Sequence, residues 1–94
     1  MLRIVHIQTL DGYNIAGTFN NGLKKQLNIL PLLENQKHLK GIEKLLDTSL
    51  FSTAHIGMFG EIVWDNIIET TTAEGETVVW HYDISPEFFF ANGK

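Results

Sequence analysis

The run His81-Tyr82-Asp83 is the part of the sequence whose residue types are best suited to chemistry. Alternate side chains of a β-strand point to the same side, so His81 and Asp83 would share one face. Such a pair could supply two metal ligands or an acid–base pair. A third ligand would have to come from elsewhere in the chain, and the sequence places none of the candidates near the pair: His6, His38, His55 and Glu61.

The plainer interpretation of the same run is a polar strand face that ends at a helix cap. We therefore predict neither a metal site nor a catalytic residue, and we keep His81 and Asp83 as the alternative. The chain has no cysteine, which excludes disulfides, thiolate metal sites and cysteine catalysis. It also has no phosphate-binding glycine loop and no serine in a nucleophile elbow. No cofactor and no enzymatic activity are expected.

Three glutamates cluster near a predicted hairpin tip, at Glu69, Glu74 and Glu76. Acid–base chemistry by a carboxylate pair needs a pocket that shifts the pKa values, and a hairpin tip supplies none. A solvated acidic loop is the expected structure.

Length and composition limit the class of protein. Ninety-four residues with 44% hydrophobic and 19% charged content predict a single globular domain, residues 1–94. The net charge of −4 and the lack of a basic cluster argue against direct nucleic-acid binding. No segment approaches the roughly 20 apolar residues of a membrane helix, and no signal peptide is recognised at the start. A cytoplasmic location is expected, with no membrane contact.

Aromatic residues near the end of the chain suggest protein contacts. Phe88, Phe89 and Phe90 would span about 200° of a helix, more than one core contact covers. Either the helix is sandwiched within the domain or one ring is exposed and available to a partner. Trp64 and Trp80 are most simply core residues, although tryptophan is also enriched in binding hot spots. The partner-binding candidates are Phe88, Phe89, Phe90 and Trp80.

The elements that position these residues begin with three predicted strands, over residues 3–9, 13–19 and 23–29. With two-residue loops at Asp11-Gly12 and Asn21-Gly22, the apolar side chains of the three strands would lie on different faces of the sheet. Three-residue loops over 10–12 and 20–22 align them. Such loops end in a left-handed residue, and Gly12 and Gly22 would fill that position.

This register predicts one apolar face across the three-stranded meander. Ile7 would lie opposite Ile15, and Ile15 opposite Leu27, with Val5 on the same face. Gly17 also lies on that face, and its missing side chain leaves room for a group packed against the sheet.

The rest of the chain predicts an α+β fold. A short amphipathic helix over 38–47 would pack on the meander, although Gly41 weakens it. Further strands are predicted over 53–57, 60–64, 66–72 and 76–84, with Gly75 at a hairpin tip. Ser85 as N-cap, followed by Pro86 and Glu87, predicts a short C-terminal helix that ends at Gly93.

Several segments together resemble a family of small bacterial proteins, domain of unknown function 2442. The segments are "RIVHIQTLDGYNIAGTFNNG", "LPLL", "LF" at 50–51, "GEIVW" and "DISPEFF". The chain departs from the family pattern at Gly17, where an aliphatic residue is usual, and at Asn28, where aspartate is common. Residues 65–79 resemble an insertion, so either Trp64 or Trp80 could match the family's tryptophan.

The resemblance implies an α+β fold with an N-terminal meander and implies no catalytic residues. Some relatives carry a helix-turn-helix domain, which this chain lacks, and many are encoded beside another small protein. That arrangement is similar to toxin–antitoxin modules.

Three hypotheses for function follow. The first is a non-enzymatic interaction module, an accessory or antitoxin-like partner of a neighbouring small protein. The second is a small metal- or ligand-binding domain or enzyme that uses His81 and Asp83. The third is a homodimeric scaffold formed through residues 88–90 and an edge strand.

Overall fold

Six β-strands and three short α-helices make up the protein, and the computed structural model describes all 94 residues. The strands are β1 (Ile4–Leu10), β2 (Asn14–Phe19), β3 (Lys24–Asn28), β4 (His55–Ile56), β5 (Ile62–Thr71) and β6 (Thr77–Ile84). The helices are α1 (Leu30–Asn35), α2 (Thr48–Phe51) and α3 (Pro86–Asn92), and a 3-10 helix covers Ile42–Leu46. Two three-stranded antiparallel sheets, β1-β2-β3 and β4-β5-β6, confirm the predicted α+β class.

The register between β2 and β3 is the one that the sequence predicted. Ile15 lies opposite Leu27, and the hairpin closes where the Phe19 N–H donates to the Leu23 carbonyl at 2.8 Å. The loop ends at Gly22, whose φ of 87° lies in the left-handed region that glycine enters without steric cost. Turn chemistry and hydrophobic alternation agree in this hairpin.

The register between β1 and β2 differs from the prediction by two residues. Ile7 lies opposite Gly17 rather than Ile15, because the loop holds residues 11–13 instead of 10–12. The shift is an even number of residues, so the apolar face of β1 still turns toward the core.

The conformation of Tyr13 accounts for this shift. Gly12 has a positive φ, as predicted, but Tyr13 also does, at 65°. The Tyr13 ring packs edge-on against Phe51, with 5.5 Å between centroids, and its hydroxyl donates to the Leu46 carbonyl. These contacts lie outside the hairpin, so the local sequence pattern did not contain them.

A β-bulge at Val5 changes which residue of β1 enters the core. Ile4 lies opposite Phe19 while His6 lies opposite Thr18, so Val5 is the extra residue. Ile4 is therefore buried and Val5 is 54% exposed. The prediction that Val5 joins the apolar face is wrong.

The predicted helix over 38–47 is present only as the 3-10 helix of Ile42–Leu46. Gly41 adopts a φ of 100°, and a Cβ there would lie 2.0 Å from the Ile67 carbonyl oxygen. The Lys40 carbonyl beside it accepts a 2.9 Å hydrogen bond from the Glu69 N–H. A continuous helix through Gly41 would lose this close contact with β5.

The helix α1 was missing from the sequence-based prediction. Pro31 lies in its first turn, where the absent N–H costs nothing. The Asn28 side chain accepts a 2.9 Å hydrogen bond from the Leu30 N–H just before the helix. The N-cap of α1 is Ile29, without a side-chain cap, so Pro31 was the only local indication of a helix start and the end of β3 obscured it.

The second sheet contains one long strand where two were predicted. β5 (Ile62–Thr71) replaces the predicted strands over 60–64 and 66–72, with a single irregularity between Trp64 and Ile68, where Asn66 has a φ of 56°. The strand predicted over 53–57 is reduced to β4. The hairpin tip is as predicted, with Gly75 donating its N–H to the Thr72 carbonyl at 2.9 Å.

Both sheets contribute to one cluster of 15 buried hydrophobic residues. Trp64 is fully buried at its centre, and its indole N–H donates to the Phe51 carbonyl at 2.8 Å. The Ile4 N–H donates to the Gly60 carbonyl at 3.0 Å, which joins the edges of the two sheets.

The C-terminal helix begins and ends as predicted. The Ser85 hydroxyl oxygen accepts the Phe88 N–H at 3.1 Å, Pro86 occupies the first turn, and the Gly93 N–H donates to the Phe89 carbonyl. None of the helices combines the length and apolar character that crossing a bilayer requires.

Gly41 and Gly75 form a matched pair for testing the contact with β5. Both have positive φ, but a Cβ at Gly75 meets nothing within 4 Å. Gly75→Ala should cost about 1–2 kcal/mol of stability from left-handed strain alone. Gly41→Ala should cost about 1–3 kcal/mol more, because the backbone of β5 must move. Urea unfolding measures both, and equal losses would contradict the contact.

Candidate functional site

The candidate pair His81 and Asp83 does share one face of β6. The imidazole Nε2 lies 3.5 Å from the Asp83 carboxylate, and the two side chains are 58% and 49% exposed. Nowhere in the chain do three or more histidine or acidic side chains come together in a way that could hold a metal ion. The pair is a solvent-exposed contact with no third group beside it.

The glutamates near the hairpin tip are not all solvated as expected. The Glu69 carboxylate lies 3.0 Å from the Lys44 ammonium. Lys44 lies three residues after Gly41, where the chain packs closely against β5. The hydrogen bond and charge of Lys44 lower the pKa of Glu69. This ion pair ties the 3-10 helix to β5, and its role is structural.

The three consecutive phenylalanines have three different environments. Phe89 is fully buried, and its Cζ lies 3.1 Å from the position that a Cβ on Gly17 would occupy. The space predicted over Gly17 is therefore filled by this ring. Phe90 packs edge-on against Phe19, and the Lys25 ammonium lies 4.4 Å from its ring centroid.

Phe88 is the one ring of the three that is exposed, at 38%. Of the two alternatives for this helix, the structure shows the one with an outward-facing ring. Phe89 was a partner-binding candidate, and its complete burial removes it. Phe90 is half-buried and already packed, so Phe88 is the residue of the three that a partner could contact.

Phe88 lies in a cleft of about 520 Å³ between α1 and α3, here called the α1–α3 cleft. Its apolar lining comes from Leu27, Leu32 and Phe88. The other lining residues are Asn28, Pro31, Asn35, Gln36, His38 and Asn92. None is aspartate, glutamate, lysine or arginine, although these make up 19% of the chain. Apart from His38, the cleft itself therefore offers hydrogen bonds and apolar contacts without an ionisable side chain, and charged residues lie in the pockets that adjoin it, Asp83 in one and Lys94 in another.

The carboxamides in the cleft are not all occupied by internal hydrogen bonds. Asn28 uses both its oxygen and its nitrogen within the fold. The Asn92 nitrogen donates to the Phe88 carbonyl at 2.9 Å, which leaves its oxygen available as an acceptor. Asn35 has no internal hydrogen bond among those of the structure, so it can both donate and accept.

Gln36 is oriented by Tyr82, which lies where a second pocket continues the cleft past Leu32 and Phe88. The Tyr82 hydroxyl donates to the Gln36 side-chain oxygen. Burial raises the pKa of Tyr82 to about 12, with a smaller contribution from the Asp83 carboxylate. The hydroxyl thus stays protonated near neutral pH, and the Gln36 amino group remains free to donate.

Trp80 is a second exposed aromatic residue, and it lies apart from the cleft. Trp64 is buried as predicted, but Trp80 is 52% exposed. Its indole N–H donates to the Thr70 hydroxyl at 2.7 Å across the β5–β6 hairpin. The prediction that Trp80 is a core residue is wrong, while its place among the partner-binding candidates agrees with its exposure.

The sequence did not reveal the α1–α3 cleft. Its polar lining comes largely from α1 and the residues just after it, and α1 was not predicted. The run "NQKH" at 35–38 has no spacing that distinguishes it from a solvated loop. Only the packing of α3 over β2 brings Phe88 and Asn92 beside these residues.

Comparisons with known proteins found no match, so any assignment of function must rest on the geometry of the structure. No protein-family model matches the chain, and no curated protein or solved structure does so either. The resemblance to domain of unknown function 2442 therefore stays a prediction.

The burial of the Tyr82 hydroxyl, which raises its pKa, predicts a pH dependence of stability. The folded pKa of about 12 lies above the ordinary value of about 10. The stability that protonated Tyr82 contributes is fully present below pH 10 and is lost as the pH rises toward 12. Tyr82→Phe should remove this part of the alkaline loss, measured as the difference in unfolding free energy between wild type and variant. The same alkaline decline in both proteins would contradict the assignment.

Proposed function

We propose that this protein is a non-enzymatic, cytoplasmic interaction module whose α1–α3 cleft binds an uncharged segment of another small protein. The observation that carries the proposal is an uncharged cleft with the half-exposed Phe88 ring in its wall. Aromatic residues in such positions frequently supply the largest part of a binding energy.

The chemistry of the cleft favours an uncharged peptide segment. A carboxamide matches the donor and acceptor of a peptide group, and Asn35, Gln36 and Asn92 all retain free hydrogen-bonding atoms. An apolar side chain of the segment would pack against Phe88 and Leu32. A charged side chain seated within the cleft would lose hydration without an oppositely charged carboxylate, lysine or arginine among the lining residues, which is costly.

The resemblance to domain of unknown function 2442 guides the choice of partner. Members of that family are frequently encoded beside another small protein, so we take the product of the adjacent gene as the partner. An accessory or antitoxin-like role is the form of the proposal that fits this arrangement.

The alternative of a metal- or ligand-binding domain or enzyme that uses His81 and Asp83 has less support. Both side chains are about half exposed, and no third ligand lies beside them. A tight site for a transition metal ordinarily has at least three protein ligands.

Co-expression and co-purification with the adjacent gene product test the proposal. A complex with a dissociation constant in the micromolar range or tighter is expected in calorimetry. Phe88→Ala should weaken it about tenfold or more, a loss of about 1.4 kcal/mol.

Phe59→Ala is the matched control, because Phe59 is 61% exposed and does not line the cleft. It should leave the affinity unchanged. Asn35→Asp, which adds a charge to the cleft wall, should weaken binding as Phe88→Ala does. Absence of any complex at micromolar concentrations, or equal effects of Phe88→Ala and Phe59→Ala, would contradict the proposal.

A further inference from the structure

The outer edge of β6 has no backbone partner. β6 pairs only with β5, and no backbone group of residues 77–83 makes a hydrogen bond to any other part of the chain. The strand is eight residues long and is the last in its sheet.

The alternation of an antiparallel ladder identifies the groups that point outward. At the hairpin end, the Thr72 N–H donates a backbone hydrogen bond to the Glu76 carbonyl. Hydrogen-bonded pairs alternate along the ladder, so the backbone groups of Val78 and Trp80 point toward β5. At the other end, the Gly57 N–H donates to the Glu61 carbonyl, so the next hydrogen-bonded pair between β4 and β5 is His55 with Val63. Val63 thus points its backbone toward β4, and its β6 partner Asp83 points outward. The outward residues are Thr77, Val79, His81 and Asp83.

Three of the four edge strands carry protection that β6 lacks. β1 is bulged at Val5, and β4 has only two residues. The edge of β3 is covered where Gln26 and Lys94 exchange two backbone hydrogen bonds of 3.1 and 2.9 Å. Bulges, short strands and covering segments are the devices that keep sheet edges from pairing.

The composition of β6 favours pairing. The run "TVVWHY" at 77–82 contains no lysine, no proline and no acidic residue. Its Val79 and Trp80 side chains are 44% and 52% exposed. An open apolar edge of this length is a site for strand addition.

We infer that β6 pairs with β6 of a second copy of this chain, antiparallel, with the two-fold axis at Trp80. The result is a continuous sheet across two protomers. The inference rests on the strand edge alone and is independent of the α1–α3 cleft.

We choose the register in which every outward-pointing backbone group of β6 forms a hydrogen bond. With the axis at Trp80, Thr77 lies opposite Asp83 of the other copy and Val79 lies opposite His81. All four outward residues then form hydrogen-bonded pairs, about eight hydrogen bonds in total. An axis one or two residues away would leave at least one outward residue opposite the hairpin turn or the start of α3, where strand pairing ends.

Charge opposes a second copy less at this strand edge than over the rest of the surface. The protein carries a net charge of −4, which opposes association of two copies through most of its surface. Residues 77–82 carry no acidic group, and the register places each Asp83 opposite a threonine rather than a second carboxylate. The two Trp80 rings meet at the axis as a non-hydrogen-bonded pair, where side chains lie closest.

Cysteine cross-linking tests the register, since the natural chain has no cysteine. In Trp80→Cys the two Cβ atoms should lie about 5 Å apart, so the thiols should oxidise to an intermolecular disulfide. Val78→Cys is the control on the same face. Each Val78 lies opposite Tyr82 of the other copy, so its own counterpart is about 13 Å away and should not cross-link. Equal cross-linking of both variants, or none by Trp80→Cys, would overturn the register.

A second measurement keeps the inference testable if Trp80→Cys does not fold. Sedimentation equilibrium should show the wild type as a dimer with a dissociation constant in the micromolar range. Val79→Glu puts two carboxylates about 7–8 Å apart across the axis, each at a similar distance from Asp83 of the other copy, and should raise that dissociation constant at least tenfold. Val5→Glu, at a similarly exposed valine on β1, should leave it unchanged. A monomeric wild type at several hundred micromolar, or equal effects of the two glutamates, would overturn the inference.

Discussion

The contact between Phe89 and Gly17 is the constraint on which the orientation of the C-terminal helix α3, and with it the cleft, depends. Gly17 has no side chain on the core face of β2, and the Phe89 ring occupies that space. Successive residues of a helix are about 100° apart, so placing Phe89 against the sheet fixes the directions of its neighbours. Phe90 turns toward Phe19 and Lys25, and Phe88 turns toward the cleft.

The two proposed surfaces are linked by β6. At its C-terminal end, Tyr82 lies in the core and orients Gln36 in the cleft, and Ser85 then caps α3. Toward the hairpin the same strand leaves the core, so Trp80 and Val79 are exposed. β6 therefore positions Gln36 and α3, which line the cleft, and also presents an open strand edge. No residue of β6 lines the α1–α3 cleft itself, and the two surfaces meet only at Asp83, which lines the pocket that continues the cleft.

Features determined by local chemistry were predictable from the sequence. The loop at Gly22 and the Ser85-Pro86 helix start each depend on residues within a few positions of one another, and both are observed. The space at Gly17 was also predictable, because a glycine on an apolar strand face needs a neighbour to fill it. The fold class followed from these elements together.

Features determined by contacts distant in sequence were not predictable. Tyr13 falls in the β1–β2 loop because of its contacts with Phe51 and Leu46, and Gly41 ends the predicted helix because of the backbone at Ile67. The bulge at Val5 occurs where β1 meets Gly60. The cleft could not be predicted for the same reason, since its two walls lie at least fifty residues apart in the chain.

A double-mutant cycle between Gly17 and Phe89 tests the central contact most directly. In the wild type, Gly17→Ala should destabilise the protein by about 1 kcal/mol or more, because the new methyl group would lie only 3.1 Å from the buried Phe89 ring, which is packed too closely to move away without strain. In a Phe89→Leu background the same substitution should be neutral or stabilising, because the ring tip is gone and alanine loses less entropy in a strand. The two free energies of unfolding should thus differ by about 1 kcal/mol or more. Equal effects of Gly17→Ala in both backgrounds would show that Phe89 does not rest on Gly17, and the position assigned to α3 would be wrong.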